Sequence, residues 1–389
     1  MNTEQRLLLE LLSSGVCQRP IKRGLFEGIN SDLIASLYDL SQKHRLAHIA
    51  GLVLEENHLF PEDCEEYKEK FFEAQLAALN HYEQLKYSLD EIGKAFERAK
   101  IKFIPLKGSV ICKYYPEPWM RYSCDTDILV NNSDLDHAVE CLTKELGYRY
   151  IGKGSHDVSL NSPGGLHLEL HYSLNEPAFG VFELLEKVWD YAGPDADNKF
   201  LYRLSDKVFY YYHIVHMAKH FVYGGCGVRP FLDLWLMRRK MDNLDETRLA
   251  VSQSGLCAFE DACVKLSETW FGEESETGIT EAMERYIFAG GAYGTLVNTI
   301  SVKRTKKTGV FRYVFSRIFI SYDKLKYLYP VLFKHKWLTP FCEVRRWFRL
   351  VFTGGIGKSV NEFKINSRLS SETIDNVGKL LDTLELNKI

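Results

Sequence analysis

Hydrophobic residues recur three and four positions apart through the first hundred residues of the chain. Leucines and isoleucines between residues 7 and 54 begin this pattern, which has the period of a helix with one buried face. Pro61-Glu62-Asp63 opens a longer helix that extends to about Ala99, because proline and acidic residues suit a first helical turn. Its predicted inner face consists of Phe72, Leu76, Leu79, Tyr82, Leu85, Leu89, Ile92 and Phe96. Residues 1–100 are therefore predicted to be an N-terminal helical region.

After residue 100 the pattern changes to short apolar runs and alternation, which are typical of strands. The predicted strands are residues 103–106, 125–130, 148–151, 156–160 and 166–172. A helix over 133–147 follows the second strand, and Asn161-Ser162-Pro163-Gly164-Gly165 predicts a hairpin turn between the last two. Residues 101–200 are therefore predicted to be a small α/β core.

Helical spacing returns over residues 204–290, where a helix at 208–222 is separated from the next by the glycine-rich break at 224–227. This pattern predicts a helical domain at 201–300 that packs on the core. Residues 301–389 are predicted to be a basic, aromatic C-terminal helical region. The fold class is therefore α+β, a small mixed-sheet core flanked by N-terminal and C-terminal helical regions.

Charge is distributed unevenly along the chain. The formal net charge is −3, yet residues 303–349 hold thirteen Lys and Arg against Asp323 and Glu343, a balance of +11. A segment of this kind favours an anionic partner. Three interpretations stay open: its aromatic residues cover the helical domain, it lies on an anionic membrane surface, or it guides an RNA or nucleotide acceptor.

The cysteines, the N-terminal stretch and the length of the apolar runs all indicate the cellular compartment of the protein. Nine cysteines without a CxxC pair favour reduced thiols over a disulfide framework. The N-terminal stretch lacks the basic region of a signal peptide, and no apolar run reaches the roughly 18–20 residues of a membrane span. We expect a cytoplasmic protein with no transmembrane segment.

Two carboxylates begin the second predicted strand, and a glycine–serine turn follows the first. Asp125 and Asp127 point to the same face because strand side chains alternate, and adjacent like charges are costly without a cation between them. Such hard oxygen ligands suit Mg²⁺, or Mn²⁺, together with substrate phosphates. Gly108 and Ser109 offer free backbone N–H groups at a helix start, which favour phosphate. The pair of features predicts a nucleotide-handling site.

The wording of this stretch, LKGSVICKYYPEPWMRYSCDTDILV followed by HLELHYSL, resembles the bacterial family of uncharacterised nucleotidyltransferases. That family lies within the DNA polymerase beta-type nucleotidyltransferase superfamily. The resemblance implies a third carboxylate on a later strand, and Glu169 occupies that place as a metal ligand or as the base that activates the acceptor. Residues 110–124 depart from the superfamily's compact pattern, because they form a longer spacer.

The resemblance implies a Mg²⁺-dependent transfer of a nucleoside monophosphate from an NTP to a hydroxyl acceptor of unidentified kind: a protein, a tRNA end, a sugar or a small molecule. The predicted catalytic residues are Asp125, Asp127, Glu169 and Lys107, of which the three acids are the predicted metal ligands. Lys107 would offset developing charge on the phosphates. The predicted nucleotide-binding residues are Gly108, Ser109, Arg121, His171, His216, His220, Arg229 and Asp233.

Several alternatives remain on the sequence alone. The polar residues predicted on the helices of 204–290 are equally well explained by contacts between those helices. The alternative role of Arg121 is to neutralise the carboxylates. His167, Glu169 and His171 share one face and form a weaker candidate for a transition-metal site. The rival function is a non-catalytic nucleotide-sensing or membrane-peripheral binding module on the same fold. The clustered carboxylates argue against it, since a retired site has no reason to keep them.

Overall fold

The computed structural model describes residues 1–175, 182–242, 244, 247–292, 294–306, 322–352 and 371–388. The helices are α1 (Thr3–Gly15), α2 (Ser31–Lys43), α3 (Ala47–Glu56), α4 (Glu65–Arg98), α5 (Gly108–Ile111), α6 (Leu135–Lys144), α7 (Glu183–Glu186), α8 (Asp206–Tyr223), α9 (Arg229–Lys240), α10 (Thr247–Gln253), α11 (Cys257–Phe271), α12 (Gly278–Ala289), α13 (Leu296–Lys306), α14 (Tyr322–Leu328), α15 (Thr339–Phe352) and α16 (Ser371–Thr383). The strands are β1 (Phe103–Pro105), β2 (Asp125–Val130), β3 (Arg149–Lys153), β4 (Asp157–Asn161), β5 (His167–His171), β6 (Ala192–Pro194) and β7 (Tyr202–Leu204). Parts of the predicted basic C-terminal region, at 307–321 and 353–370, lie outside the described residues.

The long helix α4 forms where the sequence predicts it, but the predicted inner face is wrong in its first half. Phe72, Leu76 and Leu79 are 56%, 50% and 41% exposed. The first half instead packs through Phe71, which is fully buried and lies against Gly51 of α3. Two adjacent phenylalanines fit either of two helical stripes, and the close approach of α3 selects the one that contains Phe71. The second half buries Ile92 and Phe96 as predicted.

Five strands form one mixed sheet in the order β1-β2-β5-β4-β3. The neighbouring strands β2 and β5 are parallel, and every other neighbouring pair is antiparallel. The bounds of β2 are as predicted, and the other four strands shift by one or two residues, as strand ends commonly do. The short ribbon β6–β7 was not predicted, because its three-residue strands carry too little alternation.

Helices cover both faces of this sheet. One face carries Ile128, Val130 and Leu170, which pack in one core with Ile92 of α4 and Leu142 of α6. The other face carries the acidic residues of β2 and β5 and turns toward α8. The α+β class, with a mixed sheet between helical regions, is confirmed.

A second, larger core joins the helices that precede the sheet in the sequence to those that follow it. It contains Leu8 and Leu11 of α1 together with Phe221 of α8 and Phe259 of α11. The N-terminal helices and those after residue 200 therefore bury a common set of side chains. The domain bounds themselves stay a prediction. Within the described residues, no helix combines the length and the apolar character that crossing a bilayer requires.

Candidate metal and phosphate site

An acidic centre forms where the two parallel strands lie side by side. Asp127 of β2 is directly opposite Glu169 of β5 in the register of the sheet, so their side chains leave the same face. His171, two residues further along β5, places its Nε2 2.9 Å from Asp127 Oδ1 and 3.4 Å from Glu169 Oε2. Strand pairing alone therefore brings two carboxylates and an imidazole to one point.

Lys107 brings a cation to the same two carboxylates. Its Nζ lies 2.5 Å from Asp127 Oδ1 and 3.5 Å from Glu169 Oε2. The backbone of Lys107 has φ +49°, a conformation that costs a non-glycine residue about 1–3 kcal/mol and is concentrated at functional sites. Burial opposes the charge of this amine, but the Asp127 carboxylate, helped by Glu169, raises the pKa of Lys107 well above its usual value.

The same contacts set the ionisation of the two β5 residues. The hydrogen bond from His171 comes first among the causes that lower the pKa of Glu169, and burial opposes it. Burial also disfavours the charged form of His171, yet its bonds to Asp127 and Glu169 raise the pKa of the imidazole above its usual value. Glu169 is therefore held ionised, which makes it a strong ligand and a weak base.

These residues fit a divalent cation. Among the described residues, ligand atoms of Asp127, Glu169 and His171 form a group within 4.8 Å of one another. The ammonium of Lys107 already acts as a stand-in cation between the two carboxylates. Two carboxylate oxygens are the ligands that Mg²⁺ and Mn²⁺ prefer, while the imidazole also suits softer metals.

Asp125 lies at the start of β2, on the same face as Asp127, but its carboxylate is not part of that compact group. Within the described part of the chain, the Asp125 carboxylate has no side-chain hydrogen bond, although the nearby charges of Lys107 and Arg229 act to lower its pKa. Burial, and then the charge of Asp127, raise the pKa of Asp125. An unpaired carboxylate beside a compact acidic group is placed to gain most from an added cation.

The glycine–serine turn lies next to this centre. A Cβ on Gly108 would be only 1.7 Å from Ser123 Oγ, so this close approach requires glycine. The Ser109 hydroxyl donates to the Leu106 carbonyl at 2.7 Å. No backbone hydrogen bond joins the N–H groups of Gly108 and Ser109 to other described residues. The two N–H groups therefore remain available to an anion.

The spacer at 110–124 is anchored to helices on three sides. His48 of α3 hydrogen-bonds the Met120 carbonyl at 2.9 Å, and His81 of α4 the Ser123 carbonyl at 2.6 Å. On the third side, Arg229 of α9 donates to the Tyr122 carbonyl at 2.6 Å. The extra length of the spacer thus connects the N-terminal helices and α9 to the turn at Gly108.

Arg121 of the spacer pairs with a fully buried acid of α9. Its Nε donates to Asp233 Oδ1 at 2.7 Å, and the Tyr115 hydroxyl donates to the same oxygen at 2.7 Å. Asp233 is 1% exposed. The Asp233 carboxylate is therefore satisfied by Arg121 and Tyr115, in a contact that holds α9 against the core.

Helices α8 and α9 form the wall opposite the acidic centre. His216 and His220 lie one turn apart on α8, and their Nε2 atoms are 3.0 Å from each other. Burial lowers the pKa of both imidazoles, that of His220 to about 3. Lys219 and Arg229 add positive charge to this wall. A polar cleft of about 180 Å³ separates it from the sheet, and we refer to the two sides as the helical wall and the sheet wall.

Most predicted site residues line this one cleft. They are Lys107, Gly108, Arg121, Asp125, Asp127, Glu169, His216, His220, Arg229 and Asp233. Ser109 instead lines a smaller adjoining cavity, and His171 lies behind Asp127, 4% exposed. The cleft also contains residues that were not predicted: Ile111, Ser123, His213, Met217, Cys226, Pro230 and Ala292. Helical spacing from His216 could have found His213, whereas Cys226 and Ala292 lie in loops that carry no local signal.

Comparison with known proteins gives a family match and distant structural similarity. A family model described as "Uncharacterised nucleotidyltransferase" matches residues 31–272. The solution structure of the antibiotic-resistance factor ANT(2'')-Ia is 12% identical over 46% of this chain and 97% of its own, with a TM-score of 0.36. An antigenic nucleotidyltransferase-like protein from Paracoccidioides brasiliensis is 14% identical over 47% of this chain and 93% of its own, with a TM-score of 0.30. Among curated proteins, none is significantly similar in sequence to this chain.

Proposed function

Because the chain belongs to the uncharacterised nucleotidyltransferase family, we propose that it transfers a nucleoside monophosphate from an NTP to a hydroxyl acceptor with the help of Mg²⁺ or Mn²⁺. One observation carries the proposal. The Lys107 ammonium lies within 3.5 Å of both the Asp127 and the Glu169 carboxylates, beside a glycine turn whose N–H groups are available. Cation ligands next to a phosphate-binding turn are what nucleotidyl transfer requires.

Asp127 and Glu169 would hold the cation, and Asp125 would complete the set on the same face. The bound cation supplies Lewis-acid stabilisation of the charge that develops on the phosphate oxygens. Gly108 and Ser109 would bind the non-transferred phosphates through their backbone N–H groups. Arg229 and Lys219 of the helical wall add positive charge on the other side of the cleft.

Lys107 has two positions in this proposal. Without a divalent cation, its ammonium neutralises Asp127 and Glu169, as the structure has it. A divalent cation on the same oxygens repels it. The side chain would then turn into the cleft, where it pairs with the phosphates of the nucleotide. The strained backbone at Lys107 fixes the base of the side chain while its end moves.

The low pKa of Glu169 favours one of its two predicted roles. A general base works best when its pKa is near the operating pH, but His171 and Lys107 hold Glu169 far below that. We therefore assign Glu169 as a cation ligand. His171 orients it, since its Nε2 bonds both carboxylates.

The test uses two radiolabels on the same nucleotide. The purified chain, Mg²⁺ and a cell extract as acceptor source are incubated with each NTP labelled at the α- or the γ-phosphate. We expect transfer of the α-label to an acceptor and release of the γ-label as pyrophosphate. Asp127→Asn should lower α-label transfer by at least about 100-fold, since a cation ligand and the partner of Lys107 are lost together.

Asp136→Asn is the matched control, because Asp136 is exposed on α6, a helix that packs on the face of the sheet opposite the acidic residues. It should transfer label like the native chain. Transfer of the γ-label instead would assign phosphoryl transfer and overturn the proposal. Tight NTP binding without transfer of either label from any extract would favour the nucleotide-sensing alternative.

A further inference from the structure

The C-terminal segment 322–352 contains a small core of its own. Leu325 and Leu332 are fully buried there, and Cys342 is 8% exposed. Tyr322 and Leu338 pack against these three residues. The segment therefore fills its interior with one set of side chains, and its remaining apolar residues are not needed for that core.

Those remaining residues lie on the outside. Trp337 and Phe341 are 70% and 67% exposed. Their rings lie edge to face, with their centroids 6.4 Å apart. Between residues 331 and 344, the other exposed apolar residues are Val331, Phe333 and Val344. Isolated exposed apolar residues need no explanation, but five within one short segment mark an interaction surface.

Exposed cations alternate with these apolar residues. Lys334, Lys336 and Arg345 are exposed, and together with the five apolar residues they form what we call the aromatic–basic face. The acid nearest to it in sequence, Glu343, is buried and paired with Arg346 at 2.8 Å. Within the described part of this segment, the exposed face thus presents positive charge beside bulky apolar groups.

We propose that the aromatic–basic face binds the surface of an anionic lipid bilayer. Aromatic rings lie at the headgroup level of a bilayer, and lysines beside them pair with anionic headgroups. A second copy of the chain is a poorer fit, because two faces of like charge would repel each other. Single-stranded RNA would use the rings and the cations but has no use for exposed Val331 and Val344. This inference concerns a surface separate from the cleft and does not depend on the proposed function.

Vesicle co-sedimentation of the full chain tests the proposal. The vesicles are phosphatidylcholine with roughly 30 mol% phosphatidylglycerol, and pure phosphatidylcholine is the neutral probe. We expect binding to the anionic vesicles that weakens at high salt, and little binding to the neutral ones. Lys334→Gln/Lys336→Gln should lower the partition coefficient roughly 30-fold, from about 1 kcal/mol for each lysine near an anionic surface.

Trp337→Ala/Phe341→Ala should weaken anionic-vesicle binding at least about tenfold, because both rings lose their contact with the headgroup region. Phe72→Ala/Leu76→Ala on α4 is the matched control, since it removes two exposed apolar side chains outside the face. Circular dichroism checks that each variant is folded. Equal binding to neutral vesicles, no binding to either, or equal losses in the control would overturn the proposal. So would dimerisation or RNA binding that needs Trp337 when vesicles do not bind.

Discussion

The two walls of the cleft differ in how their polar groups are arranged. On the sheet wall, Lys107, Asp127, Glu169 and His171 lie in direct contact, and their charges largely cancel. On the helical wall, His216 is hydrogen-bonded to the imidazole of His220, and burial lowers the pKa of both rings so that they stay neutral. The sheet wall is thus prepared for a cation, whereas the helical wall offers neutral rings beside a few fixed positive charges.

Under the proposed function, this difference corresponds to different roles for the two walls. A wall of compensated charges exchanges one cation for another without large rearrangement. A wall of neutral imidazoles with Lys219 and Arg229 suits a nucleotide, whose base needs polar but uncharged partners and whose phosphates need cations. The predictions below break or sharpen this contrast, beginning with the largest expected effect.

The anchor of the helical wall is the buried pair of Asp233 and Arg121. The Arg121 side chain is only 8% exposed. Asp233→Ala would therefore leave this buried cation without its closest counter-charge. We expect the free energy of unfolding to fall by about 3–5 kcal/mol, measured by urea denaturation. Glu183→Ala is the matched control, because it removes the acid of a solvent-exposed pair with Lys187 and should cost at most about 1 kcal/mol. Equal small losses would show that the pair does not hold this wall.

How much of this arrangement the sequence predicts depends on how far apart in sequence the contacting residues lie. Strand alternation predicts that Asp125 and Asp127 share a face, and the family resemblance adds Glu169 to them. The parallel pairing of β2 with β5 places Asp127 opposite Glu169. The pairing of Arg121 with Asp233 and the anchors His48 and His81 depend on how helices far apart in sequence approach the spacer. No local pattern encodes that approach.

The sheet wall depends on the close approach of Gly108 and Ser123. Gly108→Ala places a methyl group 1.7 Å from Ser123 Oγ and 2.9 Å from its Cβ. We expect a loss of about 1–3 kcal/mol in stability and, because the turn shifts, weaker NTP binding. Gly152→Ala is the control, since a Cβ there meets nothing within 4 Å. Full NTP affinity in Gly108→Ala would contradict the assigned role of this turn.

The exchange of cations at the sheet wall predicts a gain of function. Lys107→Met removes the ammonium that competes for Asp127 and Glu169, so Mn²⁺ should bind without nucleotide about tenfold more tightly, or about 1.4 kcal/mol. Electron paramagnetic resonance of free Mn²⁺ measures this directly. Lys102→Met removes an exposed lysine outside the cleft and should change nothing. Weaker Mn²⁺ binding in Lys107→Met would show that Lys107 is not a competing cation.

The contrast in imidazole ionisation is the most subtle prediction. His220 should stay neutral from pH 8 to below pH 5, because burial lowers its pKa to about 3. His171 should instead stay protonated above its ordinary value of about 6.5, since its carboxylate partners raise its pKa. The neutral form of His220 stabilises the fold above its ordinary pKa, and this contribution is lost as the pH falls toward the folded value. Imidazole NMR titration of the metal-free chain measures both, with His220→Gln and His171→Gln for assignment.

Titration of His220 near its ordinary pKa would contradict a buried, neutral helical wall. A lowered pKa for His171 would contradict its double contact with the acids. Either result would remove the contrast between the two walls.

The central claim is that the sheet wall binds a nucleotide together with a divalent cation. The most direct measurement is a thermal-shift panel of the four NTPs, with and without Mg²⁺, on the native chain and on Asp125→Asn/Asp127→Asn. We predict that at least one NTP at about 100 times its Kd stabilises the native chain by about 2.7 kcal/mol, a rise in Tm of a few degrees. This shift should need Mg²⁺ and should be absent in the double variant. A shift of the same size without Mg²⁺, or in the double variant, would contradict the claim.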